Sequence, residues 1–149
     1  MLIAQITDVH IGFDPGDVDE FNRQRLDHLL GRIADGPTAP DALIVSGDMA
    51  DKGDDASYAT LASVLGATGW PILPCVGNHD LRDVFDVHFP GHRDANGFVQ
   101  YVRDVGPLRF IVIDTLEEGR HGGAFCDVRA AWLRARLAER PDLPTWVIM

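Results

Sequence analysis

Cysteine is scarce in this chain of 149 residues, which contains only Cys75 and Cys126. Two cysteines so far apart do not indicate a disulfide framework or a zinc site built from thiolates. Cys75 lies in an apolar segment, so we predict that it is a small buried hydrophobe. Such sparing use of cysteine is typical of a reducing compartment, and a cytoplasmic protein is the expectation.

Long apolar runs are also missing. No stretch of about 18 apolar residues occurs, and a spanning helix is therefore not expected. A strand pattern begins at Leu2, with no basic and hydrophobic leader before it, so a secretory signal peptide is not expected either. The sequence predicts no membrane partner.

Basic residues are outnumbered, with 13 lysines and arginines against 23 aspartates and glutamates, and the net charge is −10. This balance disfavours a broad surface for nucleic acid or for anionic membranes. It remains compatible with a small phosphate-containing substrate, because bound divalent cations can reverse the local potential.

The length and the 46% hydrophobic content predict one globular domain covering residues 1–149. Apolar strand segments alternate with helical ones, which indicates an α/β fold with a parallel β-α-β-α-β unit followed by a hairpin. The predicted strands are 2–7, 42–46, 71–76, 98–103, 108–114 and one starting at Thr145. The predicted helices are 55–67, 81–88, 127–139 and one that is capped by Asp17 or Asp19 and runs to Ala34.

Polar clusters follow the first three predicted strands. They are Asp8-Val9-His10, Gly47-Asp48 and Gly77-Asn78-His79-Asp80. The tips of adjacent parallel strands converge on one crevice, where open α/β sheets bind their ligands. Carboxylates, imidazoles and an amide oxygen brought together there form a site for a hard or borderline divalent metal.

Each cluster alone has a simpler interpretation. Asp8 and His10 lie two residues apart and share a side of the chain, but such a pair is often a cap or a surface pair. Gly47-Asp48 is a common turn, although Asp48 has two oxygens with which to bridge two metals. Asn78 can cap the helix that follows. The occurrence of all three clusters, in order, on successive strand tips favours the metal site.

Two further residues of the third cluster are candidates for catalysis. His79 can protonate a leaving group or bind a phosphoryl oxygen, and Asp80 is expected to fix the tautomer of the His79 ring. In a later glycine-bearing loop, His121 is either a substrate contact or an exposed loop residue.

These three clusters resemble, in order and spacing, the first three motifs of the calcineurin-like metallophosphoesterase superfamily. The similarity is greatest to the branch of class III cyclic-nucleotide phosphodiesterases and metal-dependent glycerophosphodiesterases. The cues for this branch are Asp80 at the end of the third motif, Tyr58 after the second, and Gly123 followed by Trp132-Leu133.

The resemblance implies a four-layer α/β/β/α sandwich with a binuclear centre of Mn, Fe or Zn. By position, Asp8 and His10 would hold the first metal, Asp48 would bridge both and Asn78 would bind the second. His79 would act at the phosphoryl oxygens or the leaving group. The family's later histidine ligands do not occur in this chain, so we expect it to be the N-terminal part of a longer enzyme.

The expected activity is hydrolysis of small phosphodiesters, either 3′,5′-cyclic nucleotides or glycerophosphodiesters, by a hydroxide that two metals activate. The alternatives are a phosphomonoesterase or nuclease of the same superfamily, and a catalytically incomplete half-site that serves as an interaction module. A homo-oligomer is left open, because an unfinished sheet exposes an edge.

Overall fold

The computed structural model describes residues 1–14, 17 and 20–149 of the chain. Its first sheet is parallel, and the strands follow one another in chain order. These strands are β1 (Ile3–Ile6), β2 (Ala42–Ser46) and β3 (Ile72–Cys75). The crossovers are α1 (Phe21–Ala34) and α2 (Asp55–Ala67), and α3 (Arg82–His88) follows the third strand. The predicted β-α-β-α-β unit is confirmed.

A second sheet follows in the chain. Strands β4 (Tyr101–Val105) and β5 (Leu108–Val112) form the predicted antiparallel hairpin. The chain then passes through α4 (Asp127–Glu139) and returns as β6 (Thr145–Ile148), which pairs with β5 in parallel. Of the helices in the described ranges, none combines the length and apolar character that a bilayer crossing requires.

The two sheets pack face to face through buried side chains. Ile44 and Cys75 of the first sheet and Phe110 and Val112 of the second belong to one buried cluster. The other face of the first sheet packs under α1, α2 and α3 in a separate cluster. Helix α4 lies beyond the second sheet, where Glu139 pairs with Arg109 of β5 at 2.6 Å. The layers are therefore α/β/β/α, and the predicted burial of Cys75 is confirmed.

Helix α1 starts later than predicted, at Phe21, and Glu20 occupies the cap position without capping through its side chain. The predicted cap Asp19 lies outside the described residues. Asp17 accepts the backbone N–H of Glu20 through its own carbonyl, at 3.2 Å. The Glu20 carboxylate instead accepts the N–H groups of Gly12 and Asp14, which ties the loop after β1 to the start of the helix.

Strand β4 also starts three residues later than predicted, because side chains capture the backbone groups before it. Asp94 accepts the N–H of Phe98, and Asp114 accepts the N–H of Val99. These groups are thereby withdrawn from the strand ladder, and pairing with β5 begins only at Tyr101.

Candidate metal centre

The first two clusters run side by side beyond the ends of β1 and β2. The N–H of Asp8 donates to the carbonyl of Gly47 at 3.2 Å, and the N–H of His10 donates to the carbonyl of Asp48 at 2.9 Å. A further bond joins the N–H of Ile11 to the carbonyl of Met49 at 3.1 Å. The parallel pairing thus continues into the loops and carries the polar side chains to one place.

Asp8, His10 and Asp48 bring their donor atoms together at the sheet edge. One atom from each of the three lies within 4.8 Å of the others, and Nε2 of His10 is 3.7 Å from Oδ2 of Asp48. Two carboxylates and an imidazole that converge in this way are a donor set that divalent transition metals accept. The residues present therefore fit the metal that the sequence predicts.

The backbone is left-handed at these same three residues. The φ angles are 54° at Asp8, 48° at His10 and 47° at Asp48, and within the described part of the chain no other non-glycine residue has a positive φ. Such a conformation costs about 1–3 kcal/mol per residue and persists where the surrounding structure enforces it, often at functional sites. The fold therefore holds these three side chains in position at a cost in stability.

Two glycines allow the second and third loops to touch. A Cβ atom on Gly77 would lie 2.3 Å from Oδ1 of Asp48, and one on Gly47 would lie 3.1 Å from the Cα of Gly77. Because the loops approach so closely, the N–H of His79 donates to Oδ1 of Asp48 at 3.0 Å. The third cluster is thus joined directly to the predicted bridging carboxylate.

Asn78 faces a cavity of about 230 Å³ that Asp8 and Asp48 also line. The structure therefore brings the fourth predicted ligand to the same crevice. His121 lines this cavity as well, together with Gly122, so the loop that was singled out in the sequence reaches the site.

A larger cavity of about 560 Å³ is also lined by two of the donors, Asp8 and His10. Its other polar lining residues include Asp51, His79 and Arg25, and Phe13 contributes an apolar surface. The His79 side chain is therefore accessible from this larger cavity.

The ring of His79 is held by the backbone of the second loop. Its Nδ1 lies 2.6 Å from the carbonyl oxygen of Asp51. A carbonyl can only accept, so Nδ1 carries a proton, and Nε2 is the ring nitrogen left to act on a substrate. This hydrogen bond raises the pKa of His79, and it outweighs the loss of solvation, which lowers it. The negative charges of Asp48 and Asp51 also raise the pKa. The protonated ring is accordingly favoured.

The predicted contact between Asp80 and His79 is wrong. Asp80 is buried, and its carboxylate accepts hydrogen bonds from the Tyr58 hydroxyl and from backbone N–H groups of the second and third loops. The Asp51 carbonyl holds Nδ1 of His79 in its place. Burial raises the pKa of Asp80, although the bond from Tyr58 opposes this effect.

Sequence analysis missed two residues of the site. Oδ1 of Asp51 lies 3.3 Å from Nδ1 of His10, so this residue faces both histidines. Asn22 donates to the carbonyl of His10 at 3.0 Å and so supports the left-handed turn there. The position of Asp51, three residues after Asp48 in the same loop, was a usable signal; nothing local marks Asn22, which lies on α1.

Comparison with known proteins supports the family resemblance that the three motifs indicate. The sequence profile named calcineurin-like phosphoesterase matches residues 1–142. The chain is 37% identical over 154 residues to a "probable cyclic nucleotide phosphodiesterase" of Rhodopseudomonas palustris, covering 95% of this chain and 53% of that protein. It is 32% identical over 161 residues to the glycerophosphodiester phosphodiesterase GpdQ of Enterobacter lignolyticus, covering 100% of this chain and 56% of that protein. The chain spans about half the length of these curated relatives.

A solved structure shows the same fold. The crystal structure of TT1561 from Thermus thermophilus superimposes with a TM-score of 0.60 at 17% identity, covering 97% of this chain and 65% of that one. The predicted α/β/β/α fold is thereby confirmed. The family profile and the curated relatives confirm the family resemblance of the motifs. The chain belongs to the calcineurin-like phosphoesterase family.

Proposed function

We propose that the protein is a metal-dependent phosphodiesterase that hydrolyses small phosphodiesters at a centre of two divalent ions. The observation that carries this proposal is the left-handed backbone shared by Asp8, His10 and Asp48. Within the described residues, positive φ angles outside glycine occur only at these three, all of metal-ligating types. This argues for a selected function, because a merely structural turn would use glycine.

Four residues would hold the ions. Asp8 and His10 would bind the first ion, Asp48 would bind both and Asn78 would bind the second. Mn²⁺, Fe²⁺ and Zn²⁺ all suit this mixed oxygen and nitrogen donor set. When bound, such ions supply Lewis-acid chemistry, activating water and neutralising phosphoryl charge.

The chain's own side chains would complete the reaction. His79, held at Nδ1 by the Asp51 carbonyl, presents Nε2 to a phosphoryl oxygen or gives its proton to the leaving oxygen. Its backbone N–H steadies the Asp48 carboxylate. Asp80 stays buried and makes no contact with the substrate in this mechanism.

The substrate class rests on the relatives. Both curated relatives carry the names of phosphodiesterases, one for cyclic nucleotides and one for glycerophosphodiesters. The net charge of −10 also favours a small ligand over a nucleic acid. A cytoplasmic location belongs to the same proposal. A phosphomonoesterase, a nuclease and a non-catalytic half-site are the rival outcomes.

Turnover by the full-length protein in Mn²⁺ tests the proposal. We expect bis-p-nitrophenyl phosphate to be hydrolysed faster than p-nitrophenyl phosphate, and a 3′,5′-cyclic nucleotide or a glycerophosphodiester to be cleaved as well. His79→Ala should lower kcat by about 10²–10⁴-fold. A strict preference for the monoester, or faster cleavage of single-stranded DNA, would assign the protein to one of the rivals. Failure to bind two ions per chain would indicate the half-site.

A further inference from the structure

We propose that Tyr58 and Asp80 form a buried positioning unit that sets the distance between the Asp48 loop and the Asn78 loop, and thereby the affinity of the centre for its metal ions. This inference rests on the proposed function and concerns two residues that lie behind the site. Neither of them lines the cavities that the predicted metal ligands face.

The Asp80 carboxylate joins the two loops. Its Oδ2 accepts the N–H of Gly77 at 2.7 Å, and its Oδ1 accepts the N–H of Ala50 at 3.2 Å. The N–H of Met49 lies 3.2 Å from both oxygens. Asp80 is only 1% exposed, so solvent does not replace these bonds.

Two of the three bonded amides belong to residues adjacent to the predicted ligands. Met49 directly follows Asp48, and Gly77 directly precedes Asn78. A metal site tolerates ligand displacements of about 0.2 Å. A carboxylate that holds both backbones at once is therefore placed to control the separation of the two donors.

Tyr58 fixes the carboxylate in turn. Its hydroxyl donates to Oδ1 of Asp80 at 2.6 Å, and the residue is completely buried. Its ring packs edge-on against Phe85 at 6.2 Å between centroids and lies parallel to the ring of His88 at the same separation. Since α2 carries Tyr58 and α3 carries both partners, the helices behind the sheet lock the position of the hydroxyl.

The first experiment compares two Tyr→Phe variants of the full-length protein by calorimetric titration with Mn²⁺. Tyr58→Phe removes the donor to Asp80. Tyr101→Phe is the matched control. The Tyr101 hydroxyl donates to the Pro74 carbonyl at 2.9 Å within strand β3, and so it does not contact the amides that Asp80 holds. We expect Tyr58→Phe to weaken binding of at least one ion about tenfold and Tyr101→Phe to leave it unchanged.

Kinetics separate positioning from a general loss of structure. For Tyr58→Phe we expect activity to fall about tenfold at limiting Mn²⁺ and to recover when Mn²⁺ is raised, with KM for the substrate unchanged. Equal Mn²⁺ affinities for the two variants would overturn the proposal, whatever their Tm values. If the wild-type protein binds Mn²⁺ but cleaves no diester, the proposed function fails while the affinity comparison still decides this inference.

Amide hydrogen exchange on the wild-type protein provides a test that needs no variant. In the folded, metal-free protein, we expect the N–H groups of Met49, Ala50 and Gly77 to be protected, because Asp80 already holds them. Fast exchange at all three sites before Mn²⁺ is added would show that the loops are not held in advance, and the inference would be wrong.

Discussion

At the scale of single residues, the left-handed backbone at Asp8, His10 and Asp48, the predicted metal ligands, is the least usual feature of the site. Aspartate and histidine adopt this conformation more readily than most residues, but a positive φ such as the 48° of His10 is still uncommon outside glycine. Backbone bonds between the loops and the Asn22 side chain compensate for the strain at His10. The His10 backbone is thus held in its left-handed conformation from both sides.

A pair of substitutions at Asp8 tests this strain. Asp8→Gly and Asp8→Ala both remove the carboxylate, so both should lose the first ion in a Mn²⁺ titration. Only glycine adopts a left-handed φ without cost, so we expect the glycine variant to be more stable than the alanine variant by about 1 kcal/mol. Urea denaturation of the metal-free protein measures the difference. If the alanine variant were at least as stable as the glycine variant, the inference that the Asp8 backbone is strained would be wrong.

At the scale of elements, Glu20 joins the loop after β1 to the start of α1. Its two oxygens accept the N–H groups of Gly12 and Asp14 at 2.8 and 3.1 Å, and the residue is buried. This contact explains why the helix begins at Phe21. The Glu20 carboxylate does not cap the helix, because it accepts hydrogen bonds from the loop that precedes the helix.

Replacement of Glu20 should therefore destabilise the protein. Glu20→Ala leaves two backbone N–H groups without their acceptor, and we expect a loss of about 2 kcal/mol in the free energy of unfolding. Glu117→Ala is the control, because it breaks only an exposed pair with Arg120 and should cost less than about 1 kcal/mol. Denaturant titration of both variants checks the prediction, which equal losses would refute.

At the scale of the whole molecule, an ion pair with a fully buried carboxylate connects the segment after β3 to the second sheet. Arg82, two residues after Asp80, donates to both oxygens of Asp114 at 2.8 Å, and it also donates to the carbonyl of Leu116. Arg129 of α4 donates to the same carbonyl at 3.3 Å. Leu116 lines the cavity that Asn78 faces, so this cluster links both sheets and α4 to the wall of the site.

Removal of one partner of this pair should be costly. Asp114→Ala removes the buried carboxylate that pairs with the Arg82 guanidinium and accepts the N–H groups of Val99 and Leu116, and we expect a loss of about 3–5 kcal/mol in the free energy of unfolding. Asp83→Ala, which breaks the exposed pair with Arg93, should cost less than about 1 kcal/mol. Thermal and urea denaturation check both values; a difference of less than about 1 kcal/mol between them would show that the pair is not a central connection.

Much of the fold and of the site could be predicted because the relevant signals are local. Each of the first three strands is a short apolar run, and each polar cluster follows its strand directly. Parallel pairing then brings the cluster residues Asp8, Asp48 and Asn78 to one crevice without further information. The hairpin of β4 and β5 was equally visible, since Gly106-Pro107 separates its two strands.

The errors arose where residues distant in sequence compete for the same polar group. Asp80 was paired with its neighbour His79, but besides the nearby Gly77 amide it binds Tyr58, Met49 and Ala50, which lie 22 to 31 residues away. Asp114 withdraws the N–H of Val99 from strand β4 in the same way.

The sequence by itself determined the order of strands and helices along the chain, the sheet edge at which the site forms and the residue types that would hold a metal. Apolar periodicity and short-range turn chemistry are sufficient for these features. Only the tertiary structure decided which partner each buried polar group takes. Burial makes every unpaired donor or acceptor costly, so the pairing is chosen among all groups that the packed chain brings within reach.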